Sequence, residues 1–284
     1  MSLSSSHLDA FYMVTQVLNF TKAAEKLNIT QSALSQRILN LETELETTLF
    51  IRDRAGLKLT ETAVSLVRFC QMRKTLEEEF LSQIKSSNPK ELGGTLGIGG
   101  FSSITTSILI PTLAPFLKKH PNVHISIYSK EIDELVAMIK RSEIDFMILD
   151  DRLQKDELER ISLGFEHNVL VEAKDYVGGD VFLDHDENDL TTLNYLKKFK
   201  RMNKNIKRIY LDDVHGIIAG LKSGLGRAVV PLHLIKNEKS LTIVNPKESL
   251  DVPVYLYYFH QPFYSQLHQA IVAELSHKFK DAFN

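Results

Sequence analysis

At 284 residues the chain is long enough for two or three domains. Its 43% hydrophobic and 25% charged residues are those of ordinary folded material, and a net charge of −2 excludes a protein that holds nucleic acid by bulk positive charge. The single cysteine, Cys70, excludes an internal disulfide and fits a reducing cytosol. It falls in an apolar helical stripe, which predicts an inert packed thiol rather than a redox sensor. The N-terminal MSLSSSHLDAFYMV lacks a basic region followed by a long apolar run, so no signal peptide is expected. No stretch reaches ~18 apolar residues, so no membrane partner is expected either.

In chain order, Leu8, Phe11, Tyr12, Val14, Thr15 and Leu18 predict an amphipathic helix from about Ser6 to Leu18. Thr21 is placed to cap a short helix of good formers ending at Leu27, and Asn28-Ile29 reads as a turn. Thr30 then caps a second helix, whose Leu34, Ile38, Leu41 and Leu45 form one buried stripe at helical period. Its opposite face opens with Gln31, Ser32, Ser35 and Gln36, followed by Arg37. An apolar back with an amide-and-hydroxyl front suits the major groove, because Gln pairs bidentately with adenine and Ser reaches base edges or phosphates. Phe50 to Thr60 alternates loosely, with Arg54-Ala55-Gly56 at a hairpin tip where Gly56 supplies positive φ. Arg52, Arg54 and Lys58 would line this ribbon and meet phosphate or the minor groove, giving a winged helix-turn-helix. Residues 1–60 carry six cations against six acids, so binding must rest on placement and on doubling of sites.

Thr60 caps a long helix to about Ser86 with the stripe Leu66, Phe69, Met72, Leu76, Phe80 and Ile84, which calls for a partner helix and favours a dimer. Ser86 to Lys90 and Gly93-Gly94 read as a hinge. Beyond it, strands and helices alternate. Strands are predicted at Thr95–Gly99, Val123–Ser129, Ile144–Asp150, about 168–173, 181–183, 206–211, 227–230, 241–244 and 254–259. Helices are predicted at Ser102–His120, Ile132–Ser142, about 189–199, 213–223 and Phe263–Phe279. This alternation predicts a parallel sheet covered on both faces, in two α/β lobes.

The chain resembles the LysR-type transcriptional regulators. The likeness is dense before residue 62: Phe20-Thr21-Lys22-Ala23-Ala24, Leu27, Gln31-Ser32-Ala33-Leu34-Ser35, Ile38, Leu41-Glu42, Leu45, Leu49-Phe50, Arg52 and Leu59-Thr60-Glu61. It departs at Gln36-Arg37, where the family usually has Arg then Gln, and at Ala63, where Gly is common. Looser matches continue at Glu134-Leu135, Ile144-Asp145 and Gly220 to Pro231. The resemblance implies a winged helix-turn-helix at 1–60, a linker helix pairing two subunits at 61–88, and a two-lobed, periplasmic-binding-protein-like effector domain at 89–284. Lobe I would comprise about 92–162 and 240–284, and lobe II about 163–239.

The expected function is sequence-specific binding of double-stranded DNA by a homodimer or homotetramer, modulated by a small-molecule effector in the α/β cleft. Two recognition helices would then sit a multiple of ~34 Å apart. The alternative is a small-molecule-binding protein whose N-terminal domain makes protein contacts only. Ligands of two-lobed α/β folds bind at carboxyl ends of strands, and the resemblance places the effector at Gly99 to Ser103, where Ser102 and Ser103 open a helix. Other strand ends offer Tyr128, Ser129 and Asp150-Asp151, and the second lobe offers His185 and His215. The pairs Asp150-Asp151 and Asp212-Asp213 hint at a cationic or amino-bearing ligand, although acids there more often cap turns or lie in solvated ones. Gly97-Ile98-Gly99-Gly100-Phe101-Ser102 has Ser where a dinucleotide fingerprint needs its last Gly. With no P-loop, no Gly-x-Ser-x-Gly setting and no Cys/His cluster at metal spacing, neither catalysis, cofactor nor metal is expected. His260 and His268 are expected to cap or coat surfaces.

Overall fold

A computed structural model describes residues 3–53, 56–85, 92–150, 153, 157–203 and 206–283. The chain divides into two compact units, one of residues 1–95 with 136–144, the other of 96–135 with 145–284.

The first unit begins with helices α1 (Ser5–Val17), α2 (Phe20–Lys26) and α3 (Gln31–Glu44). Asn19, rather than Thr21, caps α2: its side chain accepts from the Lys22 amide at 3.0 Å. An extended Asn19 one residue before the helix reaches that amide, whereas Thr21 is already helical. Asn28 turns the chain with φ +54°, a conformation Asn tolerates better than most side chains. Thr30 caps α3 as expected, accepting from the Ala33 amide at 3.2 Å. Leu34, Ile38 and Leu41 are buried with Phe11 and Leu49, and Leu45 packs at the margin.

Strands β1 (Phe50–Asp53) and β2 (Gly56–Leu59) pair antiparallel as the wing. Gly56 has φ +120°, meeting the expectation of a left-handed residue there. Glu42 anchors the ribbon's base by accepting from the Leu49 amide at 2.7 Å. Thr60 donates to the Thr48 carbonyl at 2.9 Å and accepts from the Ala63 amide at 3.1 Å, joining the wing to helix α4 (Glu61–Lys85). The inner face of α4, Ala63, Leu66, Val67 and Cys70, is buried in the same core. Phe69, Leu76, Phe80 and Ile84 are 40–64% exposed. The segment expected as a hinge, Ser86 to Lys90, lies outside the described residues.

After α4 the chain continues with β3 (Gly93–Gly100), and the elements from there on belong to the second unit apart from residues 93–95 and 136–144. Helix α5 (Ser102–Ile104) runs through a π turn (Thr105–Leu109) into α6 (Ile110–Lys119), then β4 (Asn122–Ser129), α7 (Ile132–Lys140) and β5 (Phe146–Asp150). There follow β6 (Leu158–Ala173), β7 (Val181–Asp184), α8 (Thr191–Lys198), β8 (Lys207–Tyr210), α9 (Val214–Lys222), β9 (Ala228–Pro231), α10 (Leu232–Ile235), β10 (Leu241–Ile243), β11 (Leu250–Phe259) and α11 (Gln266–Ala282). The main sheet runs β10-β6-β11-β5-β3-β4, with β9 also on β6, while β7 and β8 form a parallel pair.

The sheet is mixed, which corrects the expectation of a parallel one. β3 and β5 are parallel, but β11 runs antiparallel to both β5 and β6. β6 begins at Leu158, well before the predicted 168, because its first half is paired along β11 rather than buried in an apolar run. The ladder slips opposite Val254 and Tyr255, and Gly164 sits there with φ +131°. A bulge with a left-handed glycine bends the strand as it crosses.

His268 overturns the surface expectation. It is 8% exposed, stacked on Tyr264 at 4.5 Å and packed against Phe146 and Tyr258. Burial lowers its pKa to about 4.

Candidate nucleic-acid interface and small-molecule cleft

The free face of α3 follows from its buried one. With Leu34, Ile38 and Leu41 turned inward, Gln31, Ser32 and Gln36 are exposed, while Ser35 and Arg37 are half-buried at the flanks. Ser32 Oγ lies 3.0 Å from Thr30 Oγ1, and Gln36 Nε2 donates to Asn40 Oδ1 at 2.8 Å along the helix. Arg37 has no ion pair among the described residues. In the wing, register sets Arg52 opposite Leu57 and Lys58 opposite Ile51, so the two cationic positions alternate along the ribbon. Lys58 is exposed. Arg54 lies outside the described residues. The geometry offers a row of amides and hydroxyls on a helix stiffened by its cap, beside a short cationic ribbon.

The second unit holds a cavity of about 620 Å³, within the size range of small-molecule sites. Ser102, Ser103 and His185 are brought together on its wall. Tyr128, Ser129 and Asp150 are not among its lining residues. Tyr128 is half-buried on β4, and Ser129 Oγ is 2.6 Å from Thr105 Oγ1. Asp150 is 9% exposed at the end of β5, where its carbonyl accepts from the Tyr257 hydroxyl at 3.0 Å. Asp151 lies outside the described residues. His215 instead lines a second cavity of about 380 Å³ with Ser107, Lys222, His233 and Glu238. Asp213 is a helix cap, its carboxylate accepting from the His215 and Gly216 amides at the start of α9.

Sequence reasoning missed the crossing strand. Glu166 and Asn168 line the cavity from β6, together with Glu131, Asp186, Asp189, Val230 and Leu250. The available signal was a polar residue, Asn168, heading the run Val169-Leu170-Val171. Glu166 Oε1 is 2.9 Å from His233 Nε2, and His233 Nδ1 is 2.7 Å from Ser107 Oγ. The Asn188 amide, hydrogen-bonded to Asp186, holds that carboxyl below the usual range, with smaller help from the Asp189 amide and His185.

Residues 5–64 match the bacterial regulatory helix-turn-helix protein, lysR family, and residues 89–280 match the LysR substrate binding domain. The chain belongs to the LysR family. The HTH-type transcriptional regulator YofA of Bacillus subtilis (strain 168) is 25% identical over 248 residues, covering 85% of this chain and 86% of that protein. Among solved structures, ArgP from Mycobacterium tuberculosis superposes with a TM-score of 0.77 at 21% identity, over 100% of this chain and 98% of that one. Full-length LysG from Corynebacterium glutamicum with bound effector Arg gives 0.72 at 16%, over 99% and 98%. These two are likenesses of fold. As a LysR-type transcriptional regulator, the chain carries its helix-turn-helix DNA-binding domain first and its effector-binding substrate domain after it. No helix of the described residues is long and apolar enough to cross a membrane.

Proposed function

We propose that this regulator reads a specific duplex site with Gln31, Ser32, Ser35 and Gln36, and holds phosphate or the minor groove with Arg37, Arg52, Arg54 and Lys58. The observation that carries the reading is the exposed polar front of α3 on a helix whose back is fully buried. The division we propose is 1–60 for DNA, 61–88 for pairing of subunits and 89–284 for the effector, with lobe I at about 92–162 and 240–284 and lobe II between. The uncovered stripe Phe69, Leu76, Phe80 and Ile84 on α4 supports a homodimer, or a dimer of dimers. The protein acts in the cytoplasm by binding rather than turnover. An effector in the 620 Å³ cavity, touching Ser102 or Ser103, shifts the geometry of bound DNA.

A gel shift with the promoter beside its own gene, at two salt concentrations, tests the DNA reading. Salt-sensitive, competitor-resistant binding is expected. Binding of no duplex at either salt overturns it in favour of an N-terminal unit that makes protein contacts only. Unchanged reporter response in Ser102→Ala and Ser103→Ala variants would count against the effector contact.

A further inference from the structure

The wall of the larger cavity is one-sided in charge. Glu131, Glu166, Asp186 and Asp189 contribute to it, and among the described residues no Lys or Arg lines it. Two of these acids are committed to the backbone: Asp186 accepts from the Asn188 and Asp189 amides, and Asp189 from those of Thr191 and His185. Glu131 is exposed and has no side-chain partner among the described residues. Glu166 has one oxygen on His233, which fixes the carboxylate's orientation, and its Oε2 has no hydrogen bond among the described residues. His185 Nδ1 lies 3.5 Å from Asp186 Oδ2.

A second observation points the same way. Asn168 is 4% exposed and lines the cavity, and its side-chain amide has no hydrogen-bond partner among the described residues. The Asn168 amide is not among the fully enclosed unpartnered groups, so it opens to the cavity, where a ligand can pair with it in place of water. Asn168 and Glu166 are two apart on β6, so they share one face of the strand. Opposite them on β11 stand Leu250 and Val252, which also line the cavity. The place is therefore a carboxylate and an amide side by side, with aliphatic walls for a short carbon skeleton.

We infer that the effector is a small organic cation, an amine or guanidine, whose nitrogen donates to Glu166 and Asn168, with Glu131 adding negative charge from the same wall. Donors that serve both groups pair with the half-buried Glu166 carboxylate and the Asn168 amide together. A carboxylate ligand would instead face repulsion, with no Lys or Arg among the described lining residues to offset it. This rests on reading the cavity as the regulator's effector site.

The test uses the full-length protein, with calorimetry and thermal melting against agmatine, putrescine, L-arginine and L-lysine, beside L-citrulline as neutral control and glutarate as anion. At least one cation is expected to bind about tenfold or more tighter than citrulline and glutarate, and the set separates guanidine from amine. Glu166→Gln is expected to weaken that cation about tenfold while the gel shift stays unchanged. Glu131→Gln, at an exposed position that leaves the fold intact, is expected to weaken it two- to fivefold by loss of one nearby charge. Failure of every cation to bind, equal or tighter binding of glutarate, or undiminished affinity in both variants overturns the inference. Cation binding by a protein that shifts no DNA supports the inference and sinks the regulator reading instead.

Discussion

The two binding surfaces are built in opposite ways. The face of α3 is local: fourteen consecutive residues supply its buried back, its polar front and, with Thr30, its cap. The cleft draws Ser102, Glu131, Glu166, His185 and Val230 from segments far apart in sequence, held by a mixed sheet. A local surface stands or falls with one helix and its cap, whereas a dispersed one stands or falls with topology.

The strongest way to separate the two is to empty the first core. Leu34→Ala removes a fully buried side chain behind α3 and should cost about 3 kcal/mol. DNA binding should be lost while the melting of the second unit, followed by cation or dye binding, is unchanged. A common loss of both would show that the units do not melt separately. The second unit has its own handle in His268, whose folded pKa of about 4 lies below its ordinary 6.5. Between these values the unfolded chain binds the proton more readily, so stability is full above about pH 6.5 and falls as pH drops toward 4. The loss is at most about 3 kcal/mol, and His268→Phe should flatten that part of a stability-against-pH curve.

Smaller effects divide the recognition surface itself. Gln31→Ala should relax discrimination at one base pair by ~1–3 kcal/mol, measured with a set of single-substitution duplexes. Arg37→Ala should weaken all sequences alike and lower the slope of log affinity against log salt by about one. The smallest expected change is none: Cys70 is 2% exposed, with burial pushing its thiol up to about 11, so the native protein should not react with a thiol reagent until it unfolds.

The same contrast explains what the sequence made legible. Helical period, the Thr30 and Thr60 caps and Gly56 identify the helix-turn-helix and wing because each signal lies within one turn of what it controls. The Asn19 cap was missed by two positions, since Thr21 has the right chemistry but lies inside the helix. In the second unit, strand and helix order was readable, but the antiparallel pairing of β6 with β11 was not, as its partners, from Asn168 with Leu250 to Leu158 with Phe259, are about 80 to 100 positions apart. Of the residues proposed for the effector, Ser102, Ser103 and His185 share the cavity, while Ser129 bonds Thr105 and Asp150 sits buried at the end of β5. Strand ends are identifiable in sequence; which of them face a common space depends on register and crossing, as with Glu166 and Asn168.

The uncovered side of α4 has a consequence for dosage. If Phe69, Leu76, Phe80 and Ile84 are shielded only when a second copy arrives, the fully folded species forms by mass action. Occupancy of a paired operator would then rise as the square of the amount of protein when little is made, so halving expression would cut it fourfold.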